Sequence, residues 1–182
     1  MAKLLALAAF LPALAAGCGV LGGADHPPLD TVASVDLERY AGRWYEIASL
    51  PVRQQRGCSC TTAEYSLVEE GVIRVVNTCR RGPQGEFDSA EGKAFVVPES
   101  NNAKLRVQFF WPFRGDYWVL QLAADYSYAV VGVPSREYFW ILSRTPSMDE
   151  ATLQTLTRRL QEQGFDTTKM QRTDHTCTEQ NL

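Results

Sequence analysis

From residue 43 to residue 144 the chain is a succession of short apolar-rich runs separated by turn residues, and this punctuation constrains the fold more than any other feature. Eight runs read as strands: 43–50, 60–69, 72–80, 88–97, 104–111, 116–123, 128–134 and 138–144. The breaks carry turn chemistry: Glu70-Gly71, Gly82-Pro83-Gln84-Gly85, 98–102, 112–115 and Pro134-Ser135-Arg136. Inside the runs the side chains alternate. Leu105, Val107, Phe109 and Trp111 share one face, with Arg106 and Gln108 on the other. Ile73, Val75 and Asn77 alternate with Arg74, Val76 and Thr78, and Tyr65 and Leu67 with Glu64 and Ser66. A period of two sets one face against a core and the other in water. Helix is signalled once. Ser147-x-x-Glu150 forms a capping-box pattern, Leu153, Leu156 and Leu160 follow at helical spacing, and Gly164 stands where the helix should stop. Residues 165–173 read as a last short strand. Strands first and one helix after them predict an all-β unit rather than a βαβ fold. The expected architecture is an eight-stranded antiparallel up-and-down barrel with one C-terminal α-helix packed outside. Such closure removes sheet edges and can leave room for one small ligand.

The N-terminus reads as a targeting segment. Lys3 supplies a positive start, and the apolar run 4–16 falls short of the roughly 20 residues a bilayer span requires. It ends in Leu14-Ala15-Ala16-Gly17-Cys18, which resembles the bacterial lipobox, although the Leu sits one place earlier than usual. The expectation is a lipoprotein signal peptide over 1–17, acylation at Cys18, a tether over 18–34 and a barrel domain over 35–182. Gly19 stands where an Asp would resemble an inner-membrane retention signal, so the expected location is the outer membrane of a Gram-negative cell, facing the periplasm. The net charge of −3 gives no reason to expect nucleic acid as a partner. With Cys18 acylated, Cys58, Cys60, Cys79 and Cys177 remain. Four cysteines in an exported chain suggest two disulfides, with three connectivities open. Cys58-Ser59-Cys60 lacks the spacing of a zinc or redox motif, and the only histidines are His26 and His175, so no metal or other cofactor is expected.

Gly42-Arg43-Trp44-Tyr45-Glu46 resembles the Gly-x-Trp signature of lipocalins. Asp125-Tyr126, between the sixth and seventh runs, is similar to the family's second motif, with Ala124 in place of Thr. Arg144, ending the eighth run, is similar to the Arg of the third. The segments 63–67, 117–120 and 139–146 resemble the bacterial and apolipoprotein D-like branch, and the likeness extends from about Val35 to the C-terminus. In an up-and-down barrel Trp44, Asp125 and Arg144 fall at one end, where Arg144 can lie on the Trp44 indole. The resemblance implies the same role for Gly42, Trp44, Asp125, Tyr126 and Arg144, namely closing the base. The same parity puts Cys58 and Cys79 at the opposite rim on neighbouring strands, which predicts Cys58–Cys79. Cys60 matches a cysteine that pairs near the C-terminus in apolipoprotein D, which implies Cys60–Cys177.

Alternation selects Tyr65, Leu67, Ile73, Val75, Asn77, Phe95, Leu105, Val107, Phe109 and Trp140 as the inward face. Of these, Tyr65, Asn77, Trp140, Phe109, Val75 and Phe95 are the candidate ligand contacts, and the resemblance implies the first three. Asn77 is a polar group on an apolar face and needs a partner, Tyr65 or a ligand head group. Trp111 and Phe113 flank Pro112 at the presumed mouth and are read as touching membrane or guiding a lipid in, with a homodimer contact or a lid as the alternative. Among Arg53, Arg56, Arg80, Arg81 and Arg114, one or two are candidates for an anionic head group. The resemblance implies a carrier of fatty acids, lysophospholipids or similar lipophiles, not an enzyme. The competing classes are a lipocalin-type isomerase or synthase using a pocket thiol, a tetrapyrrole carrier, and a structural lipoprotein with a filled barrel.

Overall fold

The alternating runs pair in chain order and close on themselves. The computed structural model describes residues 26–82 and 85–177. The expected signal peptide, the expected acylation site Cys18, the first half of the expected tether, the turn residues Pro83 and Gln84, and residues 178–182 lie outside the described residues. The strands are β1 (Gly42–Ser49), β2 (Cys58–Glu69), β3 (Val72–Arg81), β4 (Phe87–Val96), β5 (Lys104–Phe110), β6 (Phe113–Leu122), β7 (Tyr128–Gly132) and β8 (Phe139–Ser143). Each pairs antiparallel with its sequence neighbour from β2 to β8, and β1 pairs with both β8 and β2, so the barrel has no free edge. A short helix α1 (Leu37–Tyr40) precedes β1, and its N-cap Asp36 accepts the Glu38 and Arg39 amides.

The long helix α2 (Glu150–Glu162) lies outside. Leu153, Leu156 and Leu160 pack with Ile47, Leu120, Val130, Phe139, Ile141 and Phe165. This cover explains why β7 and β8 are apolar on both faces rather than alternating. The cap differs from the expected Ser147. Asp149 accepts the Thr152 amide at 2.9 Å, while the Ser147 carbonyl accepts from the Thr145 hydroxyl. A carboxylate beside the helix start also gains from the helix dipole, which favours the Asp.

Three further expectations are corrected. β6 begins at Phe113 instead of 116, because Phe110 pairs with Phe113 and the loop shrinks to Trp111-Pro112. The 165–173 stretch is a buried Phe165, a single turn at Thr167–Lys169 and a two-residue strand β9 (Gln171–Arg172) on β1. Residues 26–34, read as free tether, are held to the barrel. Leu29 is buried in the α2 cluster, the Val32 amide bonds the Val119 carbonyl, and the Val35 amide bonds that of Asn101.

Candidate functional site

The closed end is built around Trp44, which is fully buried. Its indole N–H donates to the Tyr40 carbonyl at 2.8 Å, and the Arg144 guanidinium lies 3.8 Å from its ring centroid. That guanidinium also donates to the Arg43, Arg39 and Tyr40 carbonyls. Gly42 adopts φ +91°, a backbone conformation that calls for glycine, and a Cβ there would stand 3.4 Å from the Arg144 guanidinium. Asp125 accepts the Ser127 amide at 3.0 Å, holding the turn in which Tyr126 takes φ +64°. The Tyr126 hydroxyl accepts the Asp36 amide, and Arg39 stacks on the Tyr126 ring. These five motif residues therefore meet at one end and fasten α1 across it.

Above this plug lies a row of phenols. The Tyr40 and Tyr117 hydroxyls are 2.7 Å apart, and those of Tyr65 and Tyr117 are 3.1 Å apart. Burial pushes the Tyr65 phenol up to about 12 and raises Tyr40 and Tyr117 as well, because a phenolate there would lose its hydration. Tyr65 thus forms floor. Its hydroxyl bonds Tyr117 and not Asn77, whose amide has no hydrogen-bond partner among the described residues.

Strand register separates floor from cup. Val75 shares the inward face and is 2% exposed. One step toward the mouth, the inward-facing Ala63, Asn77, Val107, Phe109 and Trp140 are only partly buried, and Ala90 is exposed. Phe109 lies against Gly92, where an added Cβ would come within 2.8 Å of the ring. Two expected wall residues are elsewhere. Phe95 pairs in register with Val72 and Arg106 on the outer surface, where Arg114 stacks on it at 4.0 Å. Ala94 and Val96 are the inward residues of β4, so alternation along the strand turns Phe95 outward. Leu67 shares the inward register but is 44% exposed at the base end of β2.

At the mouth a pocket of about 510 Å³ opens beside the β1–β2 loop. Glu46, in the first motif but passed over in the sequence reading, lines it and is 7% exposed. Its carboxylate accepts from Ser49, Thr173 and Gln55 at 3.0, 2.7 and 2.7 Å. The Gln55 amide oxygen in turn accepts the Trp140 indole N–H at 3.2 Å. The signal for Glu46 was present in the sequence, since it follows Trp44 by two residues and so shares the inward face. Disulfides Cys58–Cys79 and Cys60–Cys177 bracket this region, and the Cys60 amide bonds the Asp174 carbonyl at 2.7 Å. Phe110, Trp111 and Phe113 stand on the rim, 75%, 86% and 77% exposed.

Comparison with known proteins agrees with this geometry. A family model described as a lipocalin-like domain matches residues 35–175. Temperature-induced lipocalin-1 of Arabidopsis thaliana is 42% identical over 159 residues, covering 82% of this chain and 84% of the relative. The outer membrane lipoprotein Blc of Vibrio cholerae is 42% identical over 140 residues, covering 76% and 82%. Apolipoprotein D of Bos taurus is 36% identical over 180 residues, covering 90% and 92%. Among solved structures, insecticyanin from Manduca sexta superposes with a TM-score of 0.67 at 24% identity, covering 86% of this chain and 88% of that one, which speaks to the fold alone. With a barrel closed in chain order, a Trp–Arg plug at its base and relatives matched over most of their length, the chain belongs to the lipocalin family.

Proposed function

We propose that this protein is a lipid-anchored carrier at the outer membrane, which takes a small hydrophobic ligand, a fatty acid or lysophospholipid, into the barrel. The observation that carries this reading is the gradient along the inner wall: sealed at Tyr65 and Val75, accessible at Asn77, Ala90 and Phe109. Asn77, Phe109 and Trp140 are the ligand contacts in this reading, with Val75 and Tyr65 beneath them. Burial of an alkyl chain supplies about 0.8 kcal/mol per CH₂. A thiol-based isomerase is the weaker reading, since Cys58, Cys60, Cys79 and Cys177 are joined in disulfides and thiol chemistry needs a free sulfur.

The anchor and the mouth belong to the same side. The N-terminal segment runs from Val35 at the closed end back along the barrel, and the Pro27 carbonyl accepts from Arg136 in the β7–β8 loop at the rim. Cys18 stands only eight positions before His26, a reach of at most roughly 28 Å. The lipobox-like 14–18 segment and the outer-membrane relative support an anchor at Cys18. Such an anchor holds the rim, with Phe110, Trp111 and Phe113, toward the bilayer.

Native mass spectrometry of delipidated mature protein tests the carrier. One palmitate or lysophospholipid should bind per barrel, and Ala90→Trp, which fills the cup from an exposed inward position, should weaken both at least ~10-fold, or about 1.4 kcal/mol. Equal binding by Ala90→Trp would place any ligand outside the barrel.

A further inference from the structure

The barrel wall is split at the mouth between β1 and β2, and the C-terminal tail fills the split. From Gly42 to Tyr45, β1 pairs with β2 as far as Thr62. Beyond Tyr45 the two strands part. Ala48 and Ser49 pair instead with Arg172 and Gln171, and the Ile47 carbonyl accepts the Thr173 amide at 3.0 Å. Across the split, the Cys60 amide donates to the Asp174 carbonyl at 2.7 Å. The tail thus lies between β1 and β2 as an inserted strand. The cause is local to β2. Cys60 takes φ +51°, and the β2–β3 register slips between Ser59 and Thr62, a bulge that bends the strand out of its ladder with β1. The mouth pocket sits on this seam, lined by Glu46 and Ser49 of β1, Cys58 and Thr61 of β2, and residues 171–173 of the tail.

What holds the insert is polar and sparse. No residue from 171 to 177 is buried, so the tail sends no apolar anchor into the core. Besides its ladder bonds, the Thr173 hydroxyl donates to the Glu46 carboxylate at 2.7 Å, His175 Nε2 lies 2.8 Å from the Glu46 carbonyl, and Arg172 pairs with the exposed Glu150 at 2.7 Å. Hydrogen bonds of this kind barely offset the entropy lost in ordering the residues that make them. The Cys60–Cys177 disulfide therefore decides whether the insert stays, because it keeps the tail beside the seam whenever those bonds break. Cys58–Cys79 plays no such part, since it joins β2 to β3, strands already paired from Cys58 to Glu69.

We propose that Cys60–Cys177 is a redox latch on this strap. While it is oxidised, residues 171–177 close the wall between β1 and β2. Once it is reduced, the strap lifts, the pocket opens sideways through the seam, and ligand exchanges faster in both directions. The latch rests on the carrier reading and adds a control to it. The reductant is a dithiol. One thiolate attacks Cys177 Sγ, which belongs to the more exposed of the two cysteines; Cys60 leaves as a thiolate and takes up a proton. The second thiol then resolves the mixed disulfide on Cys177. The dithiol ends as a disulfide and the protein holds two thiols, having gained two electrons and two protons. Oxidation reverses the step and re-forms the latch.

The test follows uptake and release of a fluorescent fatty acid by stopped flow, on delipidated mature protein, with dithiothreitol as the dithiol. Cys58→Ser with Cys79→Ser isolates the latch. In that variant dithiothreitol should quicken both uptake and release at least ~10-fold, leave affinity nearly unchanged, and be reversed by reoxidation. Cys60→Ser with Cys177→Ser should exchange fast from the start and ignore dithiothreitol. Near-ultraviolet circular dichroism should persist on reduction, because the Trp44 plug and the β2 to β8 ladders do not involve the tail. Unchanged exchange on reduction of Cys60–Cys177, release that quickens without uptake, a response that follows Cys58–Cys79, or loss of the dichroism refutes the latch while the carrier stands. Oxidised protein that takes up no fatty acid overturns the carrier reading as well.

Discussion

Tyr40, Tyr65 and Tyr117 share one dry chain of hydroxyls, and their chemistry is set by what water cannot reach. Unfolded phenols release protons near pH ~10, whereas burial keeps these protonated to higher pH. Above that pH the unfolded chain binds fewer protons than the folded one, so stability is intact below about pH 10 and falls as pH rises. We therefore expect these three of the seven tyrosines to ionise together with loss of near-ultraviolet circular dichroism. Reversible phenolate absorbance from all seven in the folded state would refute this. Tyr117→Phe removes the shared partner and should cost roughly 1–3 kcal/mol, read from the urea midpoint. At this scale the sequence was legible where chemistry is local. Trp44 and Arg144 announce themselves by type and spacing. Phe95 did not, because an aromatic with a positive partner is as content outside as in, and Arg114 is distant in the chain.

Among the elements, β9 depends most on its fastenings. Two residues pair with β1, and the tail beyond is held by the Cys60 amide, the Glu46 carboxylate and Cys60–Cys177. That disulfide spans 117 residues, so its loss frees much of the unfolded chain. Cys60→Ser with Cys177→Ser should lower stability by roughly 2–4 kcal/mol and raise hydrogen exchange at the Cys60 and Thr173 amides, with β3 to β5 little changed. Uniform exchange across all strands would contradict a local role for the tail. The strands were readable from alternation and turn residues, and the helix from its leucine spacing. What escaped was irregular. A bulge between Glu46 and Ala48 turns Ser49 inward where strict alternation would place Ala48. Leu29 and Val32 were too sparse to signal that 26–34 docks.

For the whole molecule, closure of the sheet was legible, but the path of 26–35 over the barrel, on which the proposed anchor orientation rests, was not. The proposed orientation predicts that, in liposomes carrying acylated protein, brominated lipid quenches Trp111 more than Trp44. Replacing Phe110, Trp111 and Phe113 with Ser should slow lipid uptake from vesicles about 10-fold and leave affinity for dispersed lipid unchanged. Quenching of Trp111 by aqueous iodide in that setting would reverse the orientation. The bond from Arg136 to Pro27 ties the leash beside the doorway rather than beneath the vessel. In the proposed anchored carrier a guest can then step from leaflet to barrel over a short, greasy threshold. Its sparing solubility ceases to govern the traffic, and the rate is set by how long the rim rests on the surface.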